Sequence, residues 1–170
     1  MKEPANNLPE NPLRNKKLKE FFTEQLNRIY CIKSHLQERL PEIRENAHFA
    51  DLYNGITQTL ADVEKQISHM DEIYVMLEAK YNFENCRGII SMIEDMFTVI
   101  CREGADPEMR DLSVLVYLQN IEHMEMASFH MLKMAAEKLN QKQIIKLLQQ
   151  SFEEAKENLG LLQLITLNYF

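Results

Sequence analysis

Residues 119–130, QNIEHMEMASFH, place two glutamates, two histidines and two methionines in a run flanked on both sides by apolar residues. Glu122 stands four residues after Leu118 and seven from both Leu115 and Phe129; Glu125 stands seven after Leu118 and four before Phe129. At helical spacing both carboxylates therefore fall on the apolar face. A carboxylate buried alone is costly, and it persists where it is paired, hydrogen-bonded or bound to a metal. Carboxylates with a few imidazoles are the donors that iron and manganese take.

Other apolar stripes are interrupted in the same way. Lys33 breaks the seam Phe22, Leu26, Ile29, Leu36, Leu40, and Ser151, Glu154 and Asn158 break the stripe of Leu147, Leu161 and Ile165. Asp62 and Gln66 lie beside the stripe that runs from Ile56 to Leu77. Tyr30, three residues before Lys33, is within reach of the same network. His123 is adjacent to Glu122 and so about 100° further round a helix, which turns it toward a rim or a neighbour. His35, His69 and His130 are expected on partly exposed faces, and the methionines, spaced among Ile and Leu, as gap-filling core.

The elements that must position these residues are helices. Gly and Pro are few, four and five in 170 residues, and three of the prolines fall in the first twelve. Poverty in turn signals favours long helices. Residues 1–15 are polar and proline-punctuated, a flexible tail by composition, and residues 16–170 form one domain. Helical periodicity predicts long helices over 16–44, 48–81, 107–139 and 141–167, with Pro41 tightening or kinking the end of the first. A shorter amphipathic piece, 86–104, lies between the second and third. Gly104 suits a C-cap, Asp106 an N-cap and Pro107 the first helical position. Four long helices and a short crossover are the outline of an all-α four-helix bundle. With the first helix rising, the second descending, the crossover rising, the third descending and the fourth rising, Lys33, Asp62, Glu122, Glu125, Glu154 and Asn158 share a slab roughly 8 Å thick.

A net charge of −7 argues against nucleic acid or an anionic membrane as partner. No apolar run is long enough to span a bilayer or to act as a signal peptide. Cys31, Cys86 and Cys101 are odd in number and lack a CxxC, which implies reduced thiols and a cytoplasmic location. The terminal LGLLQLITLNYF is apolar on more than one face, a surface for a homodimer or a protein partner.

Three stretches resemble the YciE/YciF-like branch of the ferritin-like superfamily, bacterial proteins associated with stress: LKEFFTEQLNRIY with Glu24 and Tyr30, the helix holding Glu122-His123-x-Glu125, and LLQQSFEEAKENL with Glu153 and Glu154. The resemblance covers about residues 17–165 and implies a ferritin-like bundle, a homodimer and an iron site at its centre. Against the family's pattern, Lys33 stands where a first-helix glutamate is expected, Asp62 is a shortened acid, Asn158 replaces an aspartate and Ile90 a glutamate. Where ferritin relatives place Glu-x-x-His pairs, this chain has Asp62-x-x-Lys65 and Glu154-x-x-Glu157.

Two readings compete. In the favoured one the bundle is non-enzymatic and binds no cofactor; Lys33 fills the space of a metal lost from the four acids Glu122, Glu125, Glu154 and Asp62 and bridges Glu122, Glu154 or Asp62, with Gln66, Asn158 and Tyr30 around it. In the alternative, Glu24 and those four acids hold iron or manganese in an oxidoreductase or metal-handling protein.

Overall fold

The structure, a computed structural model, describes residues 12–102 and 106–170. Residues 1–11 of the expected tail and Gly104 lie outside the described residues. All regular structure among the described residues is helical: α1 Pro12–Glu45, α2 Ala50–Met76, a 3-10 turn Phe83–Cys86, α3 Arg87–Arg102, α4 Pro107–Lys138 and α5 Lys142–Asn168. α1 starts at Pro12, ahead of the expected 16, and runs on past Pro41. α2 ends at Met76, short of the expected 81, because Glu78 adopts a left-handed φ of 50° and Ala79 N–H closes onto Tyr74 O at 3.0 Å. α4 ends in the same way, at Asn140 with φ 59° and Gln141 N–H on Ala136 O at 3.0 Å. Such left-handed closures satisfy carbonyls that a helix end would otherwise leave bare. At the other end of α4 the Asp106 carboxylate accepts from Glu108 N–H at 3.0 Å and Met109 N–H at 3.3 Å, with Pro107 in the first turn.

The long helices form a ring in which α1 borders α2 and α4, and α5 borders the same two. Contacts at the ends fix the directions. Asp111, early in α4, meets the start of α2 just beyond the end of α1, so α4 runs opposite to α1. Phe49 stacks on Tyr169 at 3.6 Å between centroids, which sets the end of α5 beside the start of α2. α3 climbs the outside of the ring and packs on α1 and α4.

The core is divided into two clusters. One contains Leu36, Leu40, Ile56, Val63, Leu118 and Leu162; the other contains Leu26, Ile29, Met70, Phe129 and Leu148. On each long helix a buried polar residue lies between them: Lys33 on α1, Gln66 on α2, Glu122 and Glu125 on α4, Ser151 and Asn158 on α5.

The corner between α1 and α2 depends on a residue from elsewhere in the chain. Phe49 makes no side-chain cap, and the acceptor comes instead from α4, where Asp111 Oδ2 takes His48 N–H at 2.6 Å and Phe49 N–H at 2.8 Å. Arg110 pairs with Asp111 Oδ1 at 3.1 Å and donates to Asn46 O. Removing a buried charged acceptor strands its donors. Asp111→Ala is expected to cost about 2–3 kcal/mol in urea unfolding and Asp111→Asn about half of that; equal stability of Asp111→Ala and wild type would refute the cap.

Candidate functional site

The polar residues between the two core clusters meet on Lys33. Its side chain has no solvent exposure, and Nζ donates to Oε2 of Glu125, also fully buried, and not to the expected Glu122, Glu154 or Asp62. Helical periodicity on α1 aims Lys33 inward with Ile29 and Leu36, which are buried with it. Burial acts to lower the Lys33 ammonium, but Glu125, Glu122 and Glu154 outweigh it and its pKa is raised. Lys33 is therefore a permanent internal cation.

Glu122 lies one helical turn before Glu125 and is 2% exposed. Burial, opposed by Lys33 and assisted by the charges of Glu125 and Asp62, pushes its carboxyl up to about 8. Glu125 is also raised, by burial against the pull of Lys33. Glu122 Oε2 and Glu125 Oε1 are both buried without a hydrogen-bond partner among the described residues, and the charge of Glu125 is one of the causes that raise Glu122. With its carboxyl raised to about 8, Glu122 is protonated at neutral pH, and Glu125 is the carboxylate that accepts from Lys33. The buried trio then carries no net charge, which is the condition for burying it cheaply.

A second lysine closes the outer side. Lys65, largely exposed, reaches Asp62 Oδ1 at 3.3 Å and Glu154 Oε1 at 3.5 Å, and Gln58 donates to Asp62 Oδ2 at 2.9 Å. Gln66 donates to Ser151 O at 3.3 Å, and His69 Nδ1 meets Ser151 Oγ at 3.1 Å. Gln66 Oε1, Glu154 Oε2 and Asn158 Nδ2 are buried without a hydrogen-bond partner among the described residues.

Of the residues expected at the centre, Lys33, Glu122, Glu125, Glu154 and Asp62 are linked through charge or hydrogen bonds. Gln66 and Asn158 are buried on the same layer. Tyr30 departs from that expectation. It lies within the influence of Asp71 and packs with Tyr81 at 4.5 Å and Tyr74 at 5.6 Å between centroids, and this aromatic cluster is separate from Lys33's partners. A step of three residues rotates a side chain by about 60° from its neighbour one turn on, enough to face it across a different seam. Burial, then Asp71, pushes its phenol up to about 12. Glu24 is half-exposed and paired with Arg28 at 2.9 Å, and His123 is exposed.

These residues do not fit a bound metal. An ammonium stands against Glu125, a second ammonium bridges Asp62 and Glu154, and among the described residues no imidazole joins them. Among the described residues no three His, Cys, Asp or Glu side chains are grouped so that they could hold a metal ion.

Three features escaped the sequence reading. Asn27, buried on α1, accepts from Tyr74 Oη at 2.6 Å and from Asn82 N–H at 3.2 Å, tying the chain beyond α2 to α1. The Asp111 cap is the second. The third corrects the expectation of three reduced thiols: Cys31 and Cys86 are joined as a disulfide, with Cα atoms 6.0 Å apart across 55 residues. Spacing along the chain carries no signal for this, because the 3-10 turn delivers Cys86 to α1 only after α2 has reversed the chain. The side chain of Cys101 is outside the described ones.

The family described as a domain of unknown function (DUF892) matches residues 17–167. Protein YciF of Escherichia coli (strain K12) is 26% identical over 145 residues, 83% of this chain and 85% of that protein. The crystal structure of the E. coli stress protein YciF superposes with a TM-score of 0.82 at 22% identity, covering 89% of this chain and 96% of that one. The structure of YcfI from Rhodopseudomonas palustris superposes with a TM-score of 0.79 at 25% identity, covering 95% and 98%.

The proton on Glu122 makes stability depend on pH. Between the ordinary value of 4.5 and about 8 the folded state holds this proton while the unfolded chain has released it. Stability is therefore highest below that window, falls as pH rises through it and levels off beyond it, and the raised Glu125 acts in the same sense. Urea midpoints measured from about pH 5 to about pH 9 are expected to fall with pH, and Glu122→Gln to flatten much of that slope. A variant that keeps the full slope would remove Glu122 as its source.

Proposed function

The chain belongs to the DUF892 family, a domain of unknown function, and on that premise we propose that it is a non-enzymatic, stress-associated helical bundle whose central carboxylate site is filled by lysine in place of metal. The observation that carries this reading is the fully buried Lys33 ammonium against Glu125, with Glu122 and Glu154 adding to its field. Two positions at which the ferritin-like pattern offers ligands, a first-helix glutamate and a histidine after Asp62, are lysines here, Lys33 and Lys65, and both contact the remaining acids. The substitution preserves charge balance and removes reactivity, since an ammonium has no open coordination position and no second oxidation state. The names of the relatives agree in kind: YciF is described as a stress protein, and YcfI as a candidate structural protein.

A cytoplasmic location belongs to the same proposal, supported by the reading of a bacterial stress protein; no described helix is long and apolar enough to cross a membrane. So does a homodimer. Leu164, Leu167 and Phe170 remain exposed at the end of α5, and an apolar surface of that kind is stabilised by association. Sedimentation at micromolar concentration is expected to give a dimer that Leu164→Glu/Leu167→Glu dissociates; a wild-type monomer would refute it.

The metal question is tested by anaerobic loading with Fe(II) and, separately, Mn(II), followed by desalting and metal analysis. Wild type is expected to retain far less than one ion per chain, Lys33→Glu to retain more, and Lys33→Glu/Lys65→His more again. Near-stoichiometric metal in the wild type would overturn the proposal in favour of an iron- or manganese-binding oxidoreductase or metal-handling protein.

A further inference from the structure

The junction between α1 and the crossover carries chemistry that the central site does not use. Cys31 lies on α1 and Cys86 ends the 3-10 turn, and both side chains are buried. Their Cα separation of 6.0 Å is one that a disulfide spans without moving the backbone. Tyr81 Oη is 3.1 Å from Cys31 Sγ and 3.8 Å from Cys86 Sγ, so a single phenol serves both sulfurs. Tyr81 is held in place by Tyr30 and Tyr74, whose centroids lie 4.5 and 6.4 Å from its own. Burial raises its pKa, which keeps the hydroxyl protonated and able to donate. A donor on sulfur favours the thiolate, the form that attacks a disulfide.

We propose that Cys31 and Cys86 form a thiol–disulfide exchange site, oxidised by small-molecule disulfides and reduced by small thiols, whose state sets how firmly the crossover is held to α1. In oxidation the Cys31 thiolate attacks one sulfur of RS–SR. The new S–S bond forms as the old one breaks, and RS⁻ leaves. The Cys86 thiolate then attacks Cys31 in this mixed disulfide, and the second RS⁻ leaves. The protein dithiol loses two electrons and two protons, and RS–SR becomes two RSH. Tyr81 is a positioning residue in this scheme: it donates to the attacking sulfur and takes no part in the electron balance.

The rest of the fold explains why the bond matters. Among the described residues, the ties of the 3-10 turn to α1 besides this bond include Asn82 N–H on Asn27 Oδ1 at 3.2 Å, a weak contact of Cys86 Sγ with Asn27 O at 3.9 Å and the packing of Tyr81 on Tyr30. α3 is held further along by Glu94, which meets His35 Nε2 at 2.6 Å and Arg39 Nε at 3.0 Å, and by Phe97 beneath the Arg39 guanidinium. A crossover packed outside the ring of long helices opens locally before the domain as a whole unfolds. Since both sulfurs are buried, exchange proceeds only through that opening. The site therefore equilibrates with a thiol pool and does not turn over rapidly as a peroxidase would. In a reducing compartment, protein disulfides are characteristically transient or redox-sensing, and a bond across 55 residues changes stability more than one across a short loop.

The full chain is equilibrated in oxidised and in reduced glutathione, then alkylated and weighed intact, with Tm and limited proteolysis measured on the same samples. Cys31 and Cys86 are expected to be protected together in the first buffer and alkylated together in the second. Tm should fall by roughly 10 °C on reduction, and a protease should cut within residues 77–102 in the reduced form alone. Cys86→Ser and Cys86→Ala should both lose the redox response of Tm. Tyr81→Phe should keep the oxidised Tm while re-oxidising several-fold more slowly. Equal alkylation of Cys31 and Cys86 in both buffers, or a redox-dependent Tm that survives in both Cys86 variants, would overturn the proposal. Re-oxidation of Tyr81→Phe at the wild-type rate would overturn the role given to Tyr81.

Discussion

A lysine with no access to water, in the middle of a helical bundle, constrains everything around it. Its ammonium must find a carboxylate, and the carboxylate must come from a different helix at the same height. Here Glu125 of α4 supplies it, and a proton kept on Glu122 prevents the second acid from adding a charge that nothing balances. A slip of α1 by one turn toward its own N-terminus would set the Lys33 ammonium against Phe129 and leave Glu125 facing Leu36. The cost of an unpaired buried charge is several kcal/mol, whereas an all-apolar seam would accept such a slip with modest loss. The pair adds little to stability compared with a leucine pair. Its effect is to select one register among several that apolar packing alone would tolerate.

The division of the core follows from the same constraint. Apolar side chains cannot fill the layer occupied by Lys33, Gln66, Glu122, Glu125, Ser151 and Asn158, so they gather above and below it. Each half draws residues from all four long helices and is closed at its end by specific polar contacts: Asp111 and Arg110 at the start of α2, Asn27 and Tyr74 near its end. Those contacts are needed because α2 lacks a cap of its own at one end and turns through a left-handed residue at the other.

Much of this was legible from the sequence, for a physical reason. Period and capping are local, so the helices, the Asp106–Pro107 start and the crossover follow from neighbours a few residues apart. The polar layer is readable because each long helix shows its own interruption, and a bundle's short connections fix relative heights well enough to align them. Tyr30 was misplaced because spacing on one helix gives an angle but not the identity of the neighbour at that angle, which proved to be Asp71. The Asp111 cap, the Asn27 bridge and the Cys31–Cys86 bond join residues 62, 55 and 55 positions apart. No periodic pattern announces any of them. They exist only once the chain has reversed twice.

Both chemical features meet on α1. Cys31 and Lys33 are two residues apart, and so point about 200° from one another around the helix. One face of α1 thus carries the internal ammonium into the bundle, and the opposite face, through Cys31, His35 and Arg39, receives the crossover. Because the Lys33–Glu125 pair fixes α1 in rotation as well as in height, the Cys31 sulfur is presented at the one azimuth that the 3-10 turn can reach. The pair is built from the chain itself, so the outer face of α1 is held in position by the protein's own charges.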